Sequence, residues 1–177
     1  CAALAAQGFA LEEAEGTAER VRFRPVSLDP LEPAPESGSP EDRIASLREA
    51  IDRTLDEAIG QARGRDRRLA EAMRYTVIGG GKRFRSLLVA AVSELVGGSH
   101  AHALRVGAAI ECVHAQSLVH DDLPCMDDDD LRRGRPTLHR KFDEATAVLA
   151  GDALLALAFE ILADEPTHPD PAVRALL

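Results

Sequence analysis

An all-α fold is expected from three features of the sequence. After Ser39 apolar residues recur at spacings of three and four, glycines and prolines fall between the periodic stretches, and no stretch reads as a strand or a fixed-period repeat. The first helix opens with Ser39 as N-cap, Pro40 at the first helical position, and Glu41 and Asp42 beside the positive end of the dipole. Ile44, Leu47, Ile51, Leu55 and Ile59 then mark one face as far as about Gly60. A second helix is expected from about Asp66 to Val77, with Leu69, Met73 and Val77 aligned, and Gly79, Gly80 and Gly81 stop it. The third starts near Arg83, carries Leu87, Leu88, Ala91, Val92 and Leu95, and ends at Gly97 and Gly98. The fourth, from about Ala101 to His120, is expected to bury Val106, Ala109, Ile110, Val113 and Leu118. An apolar helix follows near Glu144–Ala163. Pro166, Pro169 and Pro171 then break the chain before a last helical start at Pro171 or Ala172.

The 177 residues suit one domain with a sizeable core, and the charged fraction is that of an ordinary globular protein. A net charge of −9 and a pI near 5.1 argue against nucleic acid or an anionic membrane as partner. Cys1, Cys112 and Cys125 are too few and too scattered for a disulfide framework or a zinc site, so a reducing, cytoplasmic compartment is expected. The long apolar stretch Ala145–Ala163 contains Gly151, Asp152 and Glu160, which points to a buried helix and not to an integral membrane segment.

Residues 1–23 are Ala- and Glu-rich with weak helical tendency, and Pro25, Pro30, Pro33 and Pro35 follow. The expected organisation is therefore a poorly ordered N-terminal extension and linker over 1–38 and a helical domain over 39–177. The last helices are almost wholly apolar, so partner helices are expected beyond Leu177 or in another chain.

The segment from His120 to Gly134, HDDLPCMDDDDLRRG, carries most of the chemistry. Its acids follow an apolar helix directly, and Leu123, Pro124 and Met126 pin part of it to a core. On an ideal helix a six-residue step turns about 600°, leaving Asp127 roughly 120° from Asp121. Pro124 disfavours helix at Leu123 and removes a donor, and a break there returns Asp127 towards Asp121. An oxygen-only ligand set with room for water and phosphate suits Mg²⁺. Arg132, Arg133 and Arg135 reverse the charge, and GGGKRFR at 79–85 combines close-approach glycines with Lys82, Arg83 and Arg85 at a helix start. Two basic clusters and a carboxylate site describe a pocket for two polyanionic groups. The glycines follow a helix and lack the P-loop spacing, so nucleotide binding is not supported.

The stretches GGGKRFR, ECVHAQSLVHDDLPCMDDDDLRRGRPTLHRKF and EATAVLAGDALLALAFEIL resemble the N-terminal half of the trans-isoprenyl diphosphate synthases (polyprenyl synthetases), over about Ile44 to Asp164. The resemblance implies an isoprenoid-synthase-type bundle around a central cavity, truncated at its C-terminus, and a homodimer. It implies that Asp121, Asp122 and Asp127 hold Mg²⁺ against an allylic diphosphate, which Arg132 also contacts. Lys82, Arg85, His114 and Arg133 would hold isopentenyl diphosphate. His114 precedes Asp121 by two helical turns and so lies on nearly the same face. The implied reaction is condensation of dimethylallyl or geranyl diphosphate with isopentenyl diphosphate to farnesyl diphosphate. Gln116 and Ser117, one turn before the aspartates, are expected to set chain length, and Gln116 stands where farnesyl-producing relatives often carry an aromatic, which leaves geranylgeranyl diphosphate open. The family's second aspartate motif is absent, so this chain alone is expected not to turn over. A terpene cyclase would not need Lys82, Arg85 and His114; a non-catalytic partner subunit is the remaining alternative.

Overall fold

The computed structural model describes residues 9–12, 22–25, 39–61, 67–78 and 80–177. Among them, seven α-helices dominate: α1 Pro40–Gln61, α2 Arg67–Val77, α3 Phe84–Leu95, α4 His100–Asp121, α5 Leu138–Lys141, α6 Glu144–Ala163 and α7 Pro171–Arg174. A 3₁₀ turn, Glu165–Thr167, lies between the last two. The fold is all-α, and the main helices start and stop within a residue or two of the sequence expectation.

Two strand pairs correct the expectation of none. β1 Phe9–Glu12 pairs antiparallel with β2 Arg22–Pro25, in place of the weak helix expected there, and β3 Leu131–Arg132 pairs with β4 Arg135–Pro136. The two-residue strands β3 and β4 are below the length at which period-two alternation can be read, and the four-residue β1 and β2 are at its lower limit. The rest of the proline-rich linker expectation, and Gly79, lie outside the described residues.

Local chemistry fixes the helix starts. The Ser39 hydroxyl accepts from the Asp42 amide at 3.2 Å while Asp42 Oδ2 accepts from the Ser39 amide at 3.1 Å, a reciprocal capping box. Asp143 caps α6, accepting from the Thr146 amide at 2.7 Å and the Thr146 hydroxyl at 2.8 Å, and pairs with Arg68 on α2. The Thr146 amide, then its hydroxyl, then Arg68 hold the Asp143 carboxyl below its ordinary range.

The core lies where α4 and α6 cross, with α1 and α2 closing one side and α3 packed on α4. Ile51, Leu55 and Ile59 of α1, Met73 and Val77 of α2 and Leu154 of α6 are buried as their spacing requires. Each such side chain contributes about 1.5–3 kcal/mol by leaving water. Ile44, at the exposed start of α1, is not part of this face.

On α4 the expected face is corrected. Ala109 is buried, but Val113 is 43% exposed, while Ala103, Gly107, Ala108, Cys112, Ala115 and Val119 are buried. Small residues let neighbouring backbones approach, as the contact of Gly107 with Ser86 shows: a Cβ on Gly107 would sit 3.1 Å from the Ser86 Cβ. The same inversion occurs on α3, where Ser86 and Ala90 are buried and Leu88 and Leu95 are exposed. Cys112 is buried and Cys125 exposed, and they form no disulfide. By length and composition α6 is the one described helix that passes as a membrane span, yet Leu154, Leu157, Ala158 and Ile161 sit in the core.

Candidate active site

The acidic segment begins where α4 stops. The Asp122 amide still closes a helical bond to Leu118 O at 3.1 Å, after which Pro124 has no donor to continue the ladder. The chain doubles back: the Asp127 amide donates to Asp121 O at 2.8 Å, and Asp128 takes a left-handed φ of 52° while its amide donates to Leu123 O at 3.1 Å. The expected break at Pro124 thus brings the backbone of Asp127 onto that of Asp121. Thr137, only 2% exposed, fastens the loop, its hydroxyl donating to Asp129 O at 2.7 Å.

The acids of this loop divide sharply. Asp122, 3% exposed, receives Arg132 Nε at 2.8 and 2.9 Å on its two oxygens and Arg132 Nη2 at 2.5 Å. Asp129 lies 3.5 Å from the same Nη2, and Arg140 pairs with Asp130 at 2.5 Å and with Asp128 at 3.8 Å. Asp121 and Asp127 make no salt bridge with any described residue; Asp121 is half-buried and Asp127 exposed. Asp122, grouped with the other two in the expected ligand set, differs from them here: it is buried and paired with Arg132, as a buried carboxylate requires. That bond, ahead of every other influence, raises the affinity of Arg132 for its proton; Asp121 adds a smaller field in the same direction.

Arg132 starts a two-residue hairpin. Arg133 at φ 53° and Gly134 at φ 75° form the left-handed turn that such hairpins require, between β3 and β4. Tyr75 of α2 holds the hairpin: its hydroxyl donates to Pro136 O at 2.9 Å, and the Arg135 guanidinium lies 4.1 Å from its ring centre. At the tip, Arg133 Nη1 donates to Gly80 O. A Cβ on Gly81 would lie 2.9 Å from that Nη1, so glycine here makes room for an arginine.

Lys82, Arg85, His114 and Arg133 line one cleft, together with Arg48 of α1. Sequence reasoning had gathered the first four and missed Arg48, whose Nε donates to Lys82 O at 3.3 Å. Among the described residues, Lys82, Arg85 and Arg133 make no salt bridge. The floor of the cleft is the second omission. Arg83, in a left-handed conformation at φ 51°, is buried, with its Nη2 2.6 Å from Asp52 and its Nη1 3.3 Å from Glu111. Ser86 Oγ stands 3.1 Å from the other Glu111 oxygen. An acid alone on the apolar run AAIECV was the available signal for Glu111. Arg83 spends its charge inside the fold, and the turn it anchors points Lys82 and Arg85 outward.

His114 sits between the two charge systems. Partial burial, then Arg85, then Arg133 and Arg132 lower its pKa below the ordinary value of 6.5, against an opposing pull from Glu111. The neutral imidazole prevails at pH 7. An adjoining cleft shares His114 and Arg133 with the first and is also lined by Asp122 and Arg132.

The residues present fit a hard divalent cation in a limited sense. Asp121 and Asp127 offer unpaired carboxylate oxygens on adjoining backbone, and among the described residues no third acid, histidine or cysteine completes a set. Two carboxylates leaving positions for water and phosphate oxygen match Mg²⁺ and not zinc.

A family profile described as polyprenyl synthetase matches residues 66–176, which contain the acidic loop, the hairpin and four of the five cations of the basic cleft. The chain belongs to the polyprenyl synthetase family. It is 49% identical over 133 residues to geranylgeranyl pyrophosphate synthase 4 of Arabidopsis thaliana, covering 75% of this chain and 35% of that protein. It is 62% identical over 111 residues to chloroplastic geranylgeranyl pyrophosphate synthase 12 of the same plant, covering 61% and 31%. A solved FPP/GFPP synthase from Zymomonas mobilis superposes with a TM-score of 0.72 at 55% identity, over 77% of this chain and 49% of that one. The chain spans about a third of the length of the curated relatives it matches. Arg48 alone among the cleft cations precedes the matched segment, which explains why family motifs do not reveal it.

Gln116 and Ser117 occupy the last turns of α4, both half-buried. Ser117 donates its hydroxyl back to His114 O at 2.9 Å, whereas Gln116 Nε2 lies 3.0 Å from His120 Nδ1.

Proposed function

We propose that this protein is a prenyltransferase that joins an allylic diphosphate to isopentenyl diphosphate, dimethylallyl giving geranyl and geranyl giving farnesyl diphosphate, with one free diphosphate released at each condensation. One observation carries the reading. Two unpaired carboxylates and a cleft of unpaired cations flank a single hairpin, as two diphosphates held differently require.

Asp121 and Asp127 would hold Mg²⁺, which when bound supplies the positive charge that stabilises a departing diphosphate. Lys82, Arg85 and Arg133 bind the diphosphate of isopentenyl diphosphate by charge-assisted hydrogen bonds, with Arg48 beside them. His114, neutral, adds a hydrogen bond and gains a proton as the anion arrives. The allylic C–O bond breaks with its electron pair on the leaving oxygen. The isopentenyl double bond then attacks the allylic carbon, and the proton lost to restore a double bond passes to the released diphosphate. No side chain acts as nucleophile; the chain contributes position and charge.

A geranylgeranyl product is the second reading. It is favoured by Gln116 and Ser117 in place of a bulky blocking residue and by the names of the plant relatives. Product analysis of the full-length protein with Mg²⁺, geranyl diphosphate and isopentenyl diphosphate separates the two. Farnesyl diphosphate as main product supports the first and geranylgeranyl diphosphate the second. A protein that elongates neither dimethylallyl nor geranyl diphosphate rejects both.

A further inference from the structure

His120 joins helices α4 and α6 at a point that the reading above leaves unused. Its Nε2 lies 3.2 Å from the Val148 carbonyl of α6, and its Nδ1 lies 3.0 Å from Gln116 Nε2 on its own helix. A carbonyl only accepts, so Nε2 carries the proton and Nδ1 presents a lone pair. That lone pair orients the Gln116 amide, NH₂ towards the ring. Room for the ring is made by Gly151: a Cβ there would stand 2.1 Å from His120 Nε2 and 2.5 Å from Cδ2. The imidazole is thus seated against the α6 backbone through a gap that a glycine alone leaves. Asp152 approaches the same nitrogen at 3.9 Å, on the solvent side.

We infer that His120 is a specificity-determining positioning residue: seated on Gly151, it clamps Gln116 and so fixes how far a growing prenyl tail extends. This deepens the proposed function and rests on it. Gln116 by itself is a poor stop, being unbranched, with three rotatable bonds and no aromatic bulk. Held at its amide, it becomes a fixed obstacle one turn before the aspartates. Released, it rotates and yields.

The two imidazole nitrogens can be separated by substitution. His120→Asn places an amide oxygen near Nδ1 and keeps the Gln116 bond while losing α6. His120→Gln places an amide nitrogen near Nε2 and keeps the α6 bond while releasing Gln116. In the full-length protein the clamp predicts that His120→Gln and His120→Ala raise the geranylgeranyl-to-farnesyl ratio about five- to tenfold, the worth of one hydrogen bond. His120→Asn holds the parental ratio, and Gln116→Ala gives the same shift, to which His120→Gln adds nothing. A structural role in helix packing predicts the reverse order, with His120→Asn as damaging as His120→Ala; that result, or an unchanged ratio in all three, overturns the clamp. The side-chain amide resonances of Gln116 read the contact without turnover. They move in His120→Gln and stay in His120→Asn if the clamp exists, and respond alike in both if it does not. A protein that elongates nothing but shows the expected resonance pattern would lose the proposed reaction and keep the contact.

Discussion

The acidic loop after α4 and the basic turn before α3 meet at one cleft, which Asp122 and Arg83 both line, yet they handle surplus charge in opposite ways. Four of the loop's six acids, Asp122, Asp128, Asp129 and Asp130, are neutralised by two arginines twelve or fewer residues away, which leaves Asp121 and Asp127. The basic turn buries one cation, Arg83, on distant acids and leaves its neighbours Lys82 and Arg85 facing the cleft. In both, paired charges hold the backbone and unpaired charges remain for ligands. A charge run in a sequence therefore mixes two populations, and pairing sorts them.

Substitution of the acids breaks this division most visibly. Asp121→Ala or Asp127→Ala should lower kcat by about 10³-fold, the worth of several kcal/mol of charge stabilisation, with the urea midpoint nearly unmoved. Asp122→Ala should do the opposite to the fold. It strands the partly exposed Arg132 and costs about 2–3 kcal/mol of stability, read from urea denaturation. Equal destabilisation by all three would erase the distinction.

On the basic side the expected effects are smaller and appear in binding. Lys82→Ala and Arg85→Ala should each raise KM for isopentenyl diphosphate about ten- to a hundredfold while KM for the allylic substrate changes little. Steady-state kinetics with each substrate varied separately test this. Parallel increases in both KM values would mean that the cleft does not discriminate between the two diphosphates.

The smallest effect concerns His114. Its folded pKa is lowered, so the folded state binds fewer protons than the unfolded chain between that value and 6.5. The stabilising contribution is complete above pH 6.5 and declines as pH falls towards the folded pKa. Urea midpoints should drop between pH 7 and pH 5 by more in the parent than in His114→Gln. Inorganic diphosphate should reverse the trend by drawing a proton onto the ring, so its binding tightens as pH falls, as calorimetry in buffers of different ionisation enthalpy would register.

Much of this was legible in the sequence. The run Ile51, Leu55, Ile59 announced its buried face because polar residues surround it. Lys82, Arg85, His114 and Arg133 were grouped by the family resemblance, with helical spacing adding only that His114 lies on nearly the same face as Asp121, and the four line one cleft. Where a helix is apolar all round, periodicity offers two faces and does not choose. On α4 the larger residues, Val113 among them, were read as core, whereas close approach of α3 and α6 favours the small ones. The pairing of Asp122 with Arg132 was hidden for a different reason. Its partner Arg132 lies ten residues on, at the start of a hairpin whose turn has a left-handed arginine, and residue spacing does not encode that conformation. Arg83 was hidden in the same way by its left-handed backbone, and its partners Asp52 and Glu111 come from two other helices.

The close approach of Arg133 to Gly81 ties two positions into one unit of variation. A methyl group at 81 would displace only the far end of a mobile side chain, so folding would scarcely register the change. The guanidinium, however, would lose its rest on the Gly80 carbonyl and with it the aim of the turn. Drift or engineering at either position would therefore leave a sound scaffold with a misdirected cation, a defect that thermal screening passes and only substrate affinity exposes.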